Sequence, residues 1–169
     1  MRVVGPSSLG VVNVHEHLVL TANAAFAEPD LPPGKIFVAS HSGSMIGALA
    51  SRGKARGIGF AGLISVGNEA DLSVGEICAA VLDDPGIDGF VLFLETMRKA
   101  EQLYAFAQQA AAQGKAVVAY KLGRSDAARE LAEPAGDGVV VVLLERVQRH
   151  RLAGGVDDGD GGPERLYHL

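Results

Sequence analysis

The chain is short of cysteine, aromatic residues, positive charge and long apolar runs. Cys78 is the sole cysteine in 169 residues, which excludes an intramolecular disulfide and a multi-cysteine zinc site. Tryptophan is missing and aromatics make up 5%. The core must therefore be built from Ala, Val, Leu and Ile, the usual filling of helices packed on a sheet. No stretch approaches the ~20 uninterrupted apolar residues of a membrane span. The opening Met1-Arg2-Val3-Val4-Gly5-Pro6 lacks the apolar run of a signal peptide, so a cytoplasmic protein with no membrane partner is expected. Lys and Arg number 15 against 20 Asp and Glu, a net charge of -5, which argues against a nucleic-acid partner. Hydrophobic residues reach 48%, enough to fill the core of one domain.

Breakers divide the chain. Residues 1–34 read as irregular: Gly5-Pro6-Ser7-Ser8 is one turn signal and Pro29, Pro32, Pro33 and Gly34 are a second, with a short strand possible at 11–14. From Lys35 the pattern becomes regular. Compact apolar runs predict strands at 35–40, 60–66, 87–95 and 116–120. Helices are predicted at 42–56, from Ser73 to about Val81, at 100–113 and from Ser125 to Ala132. The second of these opens on a Ser73-x-x-Glu76 capping box, and the third turns Leu103, Phe106, Ala107 and Ala110 inward. Strands that are continuously apolar and alternate with helices predict an α/β fold with a mainly parallel sheet of about four strands, covered on both faces. Residues 133–169 change character, with Pro134-Ala135-Gly136-Asp137-Gly138, a valine run and a Gly/Asp-rich stretch, and are expected to form an irregular, flexible tail.

In such sheets ligands bind beyond the C-terminal strand ends. Here those ends read Ser40-His41-Ser42-Gly43-Ser44, Val66-Gly67-Asn68-Glu69, Leu94-Glu95-Thr96 and Lys121-Leu122-Gly123-Arg124-Ser125. Ser42 and Ser44 are either helix N-caps or donors to an anion, with Gly43 letting the anion come close. Glu95 is either a surface carboxylate or a site residue. A Ser42/His41 nucleophile pair is disfavoured, because adjacent residues rarely orient correctly and no acid is evident to orient the histidine. His15-Glu16-His17 can put two imidazoles on one strand face, but nothing nearby completes a metal ligand set, so no metal site is expected. Gly57-Ile58-Gly59-Phe60-Ala61-Gly62 has the spacing of a dinucleotide fingerprint, yet it follows a helix and opens a strand, the reverse of what phosphate binding needs.

Several of these loops, in order, resemble the NDP-forming acyl-CoA synthetases, the superfamily of succinyl-CoA synthetase and ADP-forming acetyl-CoA synthetase. They are Gly-Pro-Ser-Ser-Leu-Gly at 5–10, the Ser-rich loop at 40–44, Gly67-Asn68-Glu69-Ala70-Asp71, Leu92-Phe93-Leu94-Glu95 and Tyr120-Lys121-Leu122-Gly123-Arg124-Ser125. The resemblance runs from about residue 5 to 132. It implies a flavodoxin-like three-layer sandwich at 35–132, the second domain of the α-subunit portion, preceded at 1–34 by the exit from a CoA-binding domain. It implies a ligase activity coupling a carboxylic acid, CoA and ATP through acyl phosphate and a phosphohistidine carried on a mobile loop. By the same resemblance the helix start at Ser42-Gly43-Ser44 receives phosphate, Glu95 holds the histidine ring as a catalytic residue, and Gly67 and Asn68 shape the organic-acid pocket. CoA and ATP/ADP with Mg belong to the intact enzyme, and no cofactor is expected on this chain alone. Its partners are the phosphohistidine loop and CoA-binding and ATP-grasp domains or subunits.

After Ala132 the family continues into a Ser-His-Thr-Gly loop, whereas this chain reads Glu-Pro-Ala-Gly-Asp-Gly-Val. The expectation is a truncated piece whose frame or gene diverges near residue 132 and which does not turn over by itself. The alternative is a non-catalytic interaction module docking on separate CoA-binding or ATP-grasp chains.

Overall fold

The computed structural model describes residues 1–21 and 30–122, together with the backbone of the strand at 139–144. Ten elements follow one another: β1 (Gly10–Asn13), β2 (Leu18–Thr21), β3 (Pro33–Ser40), α1 (Gly43–Lys54), β4 (Phe60–Ser65), α2 (Val74–Ala80), β5 (Gly89–Leu94), α3 (Ala100–Ala112), β6 (Ala116–Leu122) and β7 (Val139–Leu144). They build one sheet in the order β2-β1-β4-β3-β5-β6-β7. The five strands from β4 to β7 are parallel, and β1 runs antiparallel to both β2 and β4. Counting only the parallel strands in chain order gives 2-1-3-4-5, the doubly wound flavodoxin-like order.

Strand alternation explains the three layers. Val38 and Leu63 face one side, where Ile46 and Ala50 of α1 pack on them with Phe60, Val12 and Val14. Phe37, Ala39 and Ile64 face the other, where α2 and α3 bring Ile77, Cys78, Leu103 and Phe106. Leu103, Phe106, Ala107 and Ala110 are the buried stripe of α3, as its periodicity predicts. Cys78 is fully buried among these apolar groups; burial pushes its thiol pKa up and leaves it unreactive.

Among the described residues the sheet has seven strands rather than about four. Two of the additional ones lie in the segment read as irregular. β1, at the possible strand of 11–14, and β2 have four residues each, too few to show a period; β1 pairs with β4, and β2 with β1. Between them residues 14–17 form a turn, so His15 and His17 do not share a strand face; the His15 ring lies instead against the Gly34 carbonyl at 2.9 Å. The valine run at 139–144 is the third addition, pairing with β6 from Val117↔Val139 to Leu122↔Leu144. β-branched residues suit that pleated surface. The helix predicted from Ser125 to Ala132, and the rest of the segment read as a tail, lie outside the described residues.

The capping box of α2 forms as expected. Ser73 Oγ accepts from the Glu76 N–H, and the Glu76 carboxylate accepts from the Ser73 N–H at 3.0 Å. The same carboxylate binds Arg2 at 2.8 Å and Lys99 at 3.0 Å, tying the N-terminus and the start of α3 to α2. The hydrogen bond from Arg2, then those from Ser73 and Lys99, pull the Glu76 pKa down to about 2. A carboxyl depressed on folding stabilises the fold above its unfolded pKa and loses that contribution as the pH falls toward the folded value. Glu76→Gln keeps an acceptor for the cap but removes the charge. It is expected to lower the melting temperature by a few degrees at neutral pH, with the deficit against the parent narrowing as the pH drops from about 5 to about 3. A deficit that does not change with pH would show that the charge contributes nothing.

Candidate functional site

In this topology the chain leaves β3 toward β4 and β5 lies on the other side, so the crevice between the β3 and β5 ends is the switch point where such sheets take ligands. The register Ser40↔Phe93 sets the 41–44 and 94–96 turns side by side. The register Ser40↔Ser65 puts the 66–69 turn on the opposite flank. Ser42, Gly43, Ser44, Glu95, Gly67 and Asn68 therefore gather at one end of the sheet.

Ser42 is the N-cap residue of α1 by backbone conformation, yet its side chain makes no capping hydrogen bond. Its hydroxyl pairs with that of Ser44 at 3.0 Å. The cap reading of the two serines is thus not what the geometry shows. The first-turn N–H groups of α1 keep no partner within the helix, and the positive end of its dipole opens on the crevice. Buried Ser40 holds the turn from below, its hydroxyl donating to the Ser42 carbonyl at 2.7 Å and accepting the Ser42 N–H at 3.0 Å. Gly43 has a packing reason to be glycine: a Cβ there would sit 2.0 Å from Leu9 Cδ1, which covers the first turn of the helix.

Gly67 is buried in a left-handed conformation, φ +65°, with the Pro6 carbonyl against its α-carbon. The Asn68 N–H donates to that carbonyl at 2.9 Å and the Ala70 N–H to the Gly5 carbonyl at 2.9 Å. This turn is where the opening Gly-Pro segment docks, and Asn68 is exposed above it. Glu95 is exposed just past the end of β5. Its backbone is held on both sides: the N–H donates to His41 Nδ1 at 3.0 Å, and the carbonyl accepts from Lys121 Nζ at 3.2 Å.

His41, Glu69 and Lys121 are buried ionisable residues that sequence reasoning did not assign. His41 Nε2 lies 3.2 Å from Glu69 Oε1, off the line of a well-formed hydrogen bond. Glu69 Oε1 also accepts the Val74 N–H at 2.7 Å. Burial works against the ionised carboxylate, but His41 and the Val74 N–H outweigh it and hold its pKa below the ordinary range. The available signal was position: each of the three stands at, or within a few residues past, the C-terminal end of a parallel strand. His41 turns inward and Ser42 toward Ser44, so no Ser/His nucleophile pair exists. Gly57-Ile58-Gly59 lies in the link from α1 to β4, after a helix and before a strand, in keeping with the rejection of the fingerprint reading.

The sequence profile of the succinyl-CoA ligase-like flavodoxin domain matches residues 33–148, more than half of the chain. The chain belongs to that family. It is accordingly a member of the NDP-forming acyl-CoA synthetase superfamily. The chain is 29% identical over 133 residues to an ADP-forming acetate–CoA ligase of Methanocaldococcus jannaschii, covering 79% of this chain and 18% of the relative. It is 29% identical over 126 residues to the α subunit of ADP-forming acetate–CoA ligase I of Pyrococcus furiosus, covering 75% of this chain and 26% of the subunit. Its fold superposes on a dinucleotide-forming acetyl-coenzyme A synthetase 1 of Ca. Korarchaeum cryptofilum, solved in complex with phosphate and ADP. There the TM-score is 0.66 and the identity 27%, with 78% of this chain and 28% of that one covered. The chain thus spans less than a third of the length of each.

Proposed function

We propose that this flavodoxin domain is the platform on which an acyl-CoA synthetase docks a phosphorylated histidine loop. The observation that carries the reading is the start of α1. It faces the switch-point crevice without a side-chain cap, its two serine hydroxyls engage only each other, and an exposed carboxylate stands at the neighbouring strand end. In this reading the N–H groups of Gly43 and Ser44 and the hydroxyls of Ser42 and Ser44 hold the phosphoryl oxygens. Glu95 accepts the hydrogen bond of the imidazole N–H and fixes the ring. Gly67 and Asn68 shape the wall toward the organic acid.

The whole enzyme then converts a carboxylic acid, CoA and ATP into acyl-CoA, ADP and phosphate through an acyl phosphate. CoA and the nucleotide with its Mg are held by CoA-binding and ATP-grasp domains or subunits, in the cytoplasm where both ligands occur. Among the described residues no group of three or more His, Cys, Asp or Glu converges to hold a metal, so this chain's residues are given no role toward Mg. No helix among them is long and apolar enough to cross a membrane. The chain by itself is expected to show no acid- and CoA-dependent ATP hydrolysis.

The test is a Ser-His-Thr-Gly peptide carrying a stable phosphohistidine analogue, titrated into ¹⁵N-labelled chain. Amide shifts should concentrate at Gly43, Ser44 and Glu95. Glu95→Gln should weaken binding about tenfold by removing a charge-assisted hydrogen bond. Shifts centred elsewhere, or equal affinity in the variant, would overturn the reading. One feature favours the interaction-module alternative as a second reading: β2 is a sheet edge whose Leu18, Val19 and Leu20 are all exposed. A chain that binds a separate ATP-grasp protein but not the peptide would favour it.

A further inference from the structure

The end of β5 is the point where Glu95 leaves the sheet and its backbone loses ladder partners. Two buried side chains from the flanking strands replace them. From β3, His41 Nδ1 accepts the Glu95 N–H at 3.0 Å and the Thr96 N–H at 3.4 Å. From β6, Lys121 Nζ donates to the Glu95 carbonyl at 3.2 Å and also to the Leu122 carbonyl. His41 is anchored in turn: its backbone N–H donates to the Phe93 carbonyl at 3.0 Å, and the Nε2 edge of its ring faces the Glu69 carboxylate.

We infer that His41 is a positioning residue for Glu95, its ring held neutral with the proton on Nε2 so that Nδ1 receives the backbone of the 95–96 turn. The inference rests on the reading of Glu95 given above.

The chemistry allows only this arrangement. A lone pair on Nδ1 is required, because two N–H donors point at it. A proton there would set donor against donor. The Nε2 side faces the Glu69 carboxylate at 3.2 Å, an acceptor that the Val74 N–H holds in place, which calls for N–H at that position. Glu69 thereby selects the tautomer, His41 fixes the turn, and Lys121 holds the opposite face of the same peptide. A carboxylate carried on a turn held from both sides meets an incoming imidazole with little reorganisation, which is how fixed groups stabilise a transferring centre. The buried His41–Glu69 contact lies outside the residues that would touch a phosphoryl group, so its effect passes through the backbone of residue 95.

Long-range ¹H–¹⁵N spectra of the full chain at neutral pH test the tautomer without any substitution. They should show His41 protonated on Nε2 only. A proton on Nδ1, alone or in the cation, would overturn the inference. The variants His41→Asn and His41→Leu then test positioning. The asparagine carbonyl oxygen reaches the place of Nδ1 and can accept from Glu95, whereas leucine offers no acceptor. His41→Leu should speed hydrogen exchange of the Glu95 and Thr96 amides at least about tenfold while the Val38 and Leu92 amides stay protected. His41→Asn should restore most of that protection. Glu95 and Thr96 amides that stay protected in His41→Leu would overturn the inference, as would an asparagine variant no better than the leucine one. In the peptide titration the same order should hold, with His41→Leu about tenfold weaker than His41→Asn. If the parent chain does not bind the peptide, the function reading fails, while the exchange and tautomer data still decide how the turn is held.

Discussion

Phe90→Ala is expected to lower the unfolding free energy by about 3–5 kcal/mol, the largest effect of any single substitution proposed for this chain. Phe90 is the second residue of β5, 1% exposed. Its ring meets Phe37 of β3 edge-on at a centroid distance of 6.0 Å and Phe106 of α3 at 4.8 Å. In a chain with so few aromatics, this trio is the main bulk between the sheet and α3. Alanine would empty a space bounded by two strands and a helix that are all held by other contacts, so little collapse can offset the cavity. Equilibrium urea unfolding measures the effect. A loss below about 1 kcal/mol would mean that α3 can slide into the gap, and the packing of that face would need to be redrawn.

Gly67→Ala is expected to cost about 3 kcal/mol, although it adds only a methyl group. A left-handed backbone is unfavourable for alanine by about 1–2 kcal/mol. The new Cβ would also lie 2.1 Å from the Pro6 carbonyl oxygen, 2.7 Å from Ser7 C and 2.9 Å from Ser8 N. All three are backbone atoms, so no side chain can rotate away, and the overlap adds roughly 1–3 kcal/mol. The opening segment should lift off the 67–70 turn, breaking the bonds from Asn68 and Ala70 to Pro6 and Gly5. Urea unfolding gives the magnitude, and exchange of the Asn68 and Ala70 amides gives the location. A neutral Gly67→Ala would mean that the opening segment is not bound there in solution.

Gly67 combines two demands at one position. The family resemblance marks it as part of an acid-binding wall, and the proposal keeps that role. The structure adds a reason for glycine that needs no ligand, since the Pro6 carbonyl occupies the space of a side chain. Gly43 is crowded too, but by the Leu9 side chain rather than by backbone, so its requirement is softer. In both cases a loop motif shared with a family carries a packing requirement and a proposed binding role at one position, and the test of the second must allow for the first.

Much of the α/β framework was legible along the chain. The runs at 35–40, 60–66 and 116–120 became β3, β4 and β6 within a few residues of their bounds. The stripe Leu103, Phe106, Ala107 and Ala110 became the buried face of α3, and Ser73 with Glu76 made the capping box. These features are local: apolar period, cap chemistry and breakers act between residues close in sequence. The clustering of Ser42–Ser44, Gly67, Asn68 and Glu95 at one end of the sheet was legible for the same reason, because in a parallel α/β sheet every strand of the alternation ends on the same side.

What the chain order could not disclose was which strand ends become neighbours, and everything that depends on it. β1, hinted at by the possible strand at 11–14, and β2 are too short to carry a period; β1 is fixed by pairing with β4 and β2 by pairing with β1. Val139–Leu144 reads as an isolated valine run until β6 is there to pair with it. His41, Glu69 and Lys121 look like ordinary polar residues at strand ends. Only the packing of β3, β5, β6 and α2 puts them below the surface, turns His41 toward Glu69, and aims two side chains at the backbone of Glu95. Composition and periodicity set the fold class because burying apolar surface is a property of each segment. The holding of Glu95 belonged to the tertiary structure because it is made of hydrogen bonds between residues 26 and 54 positions apart.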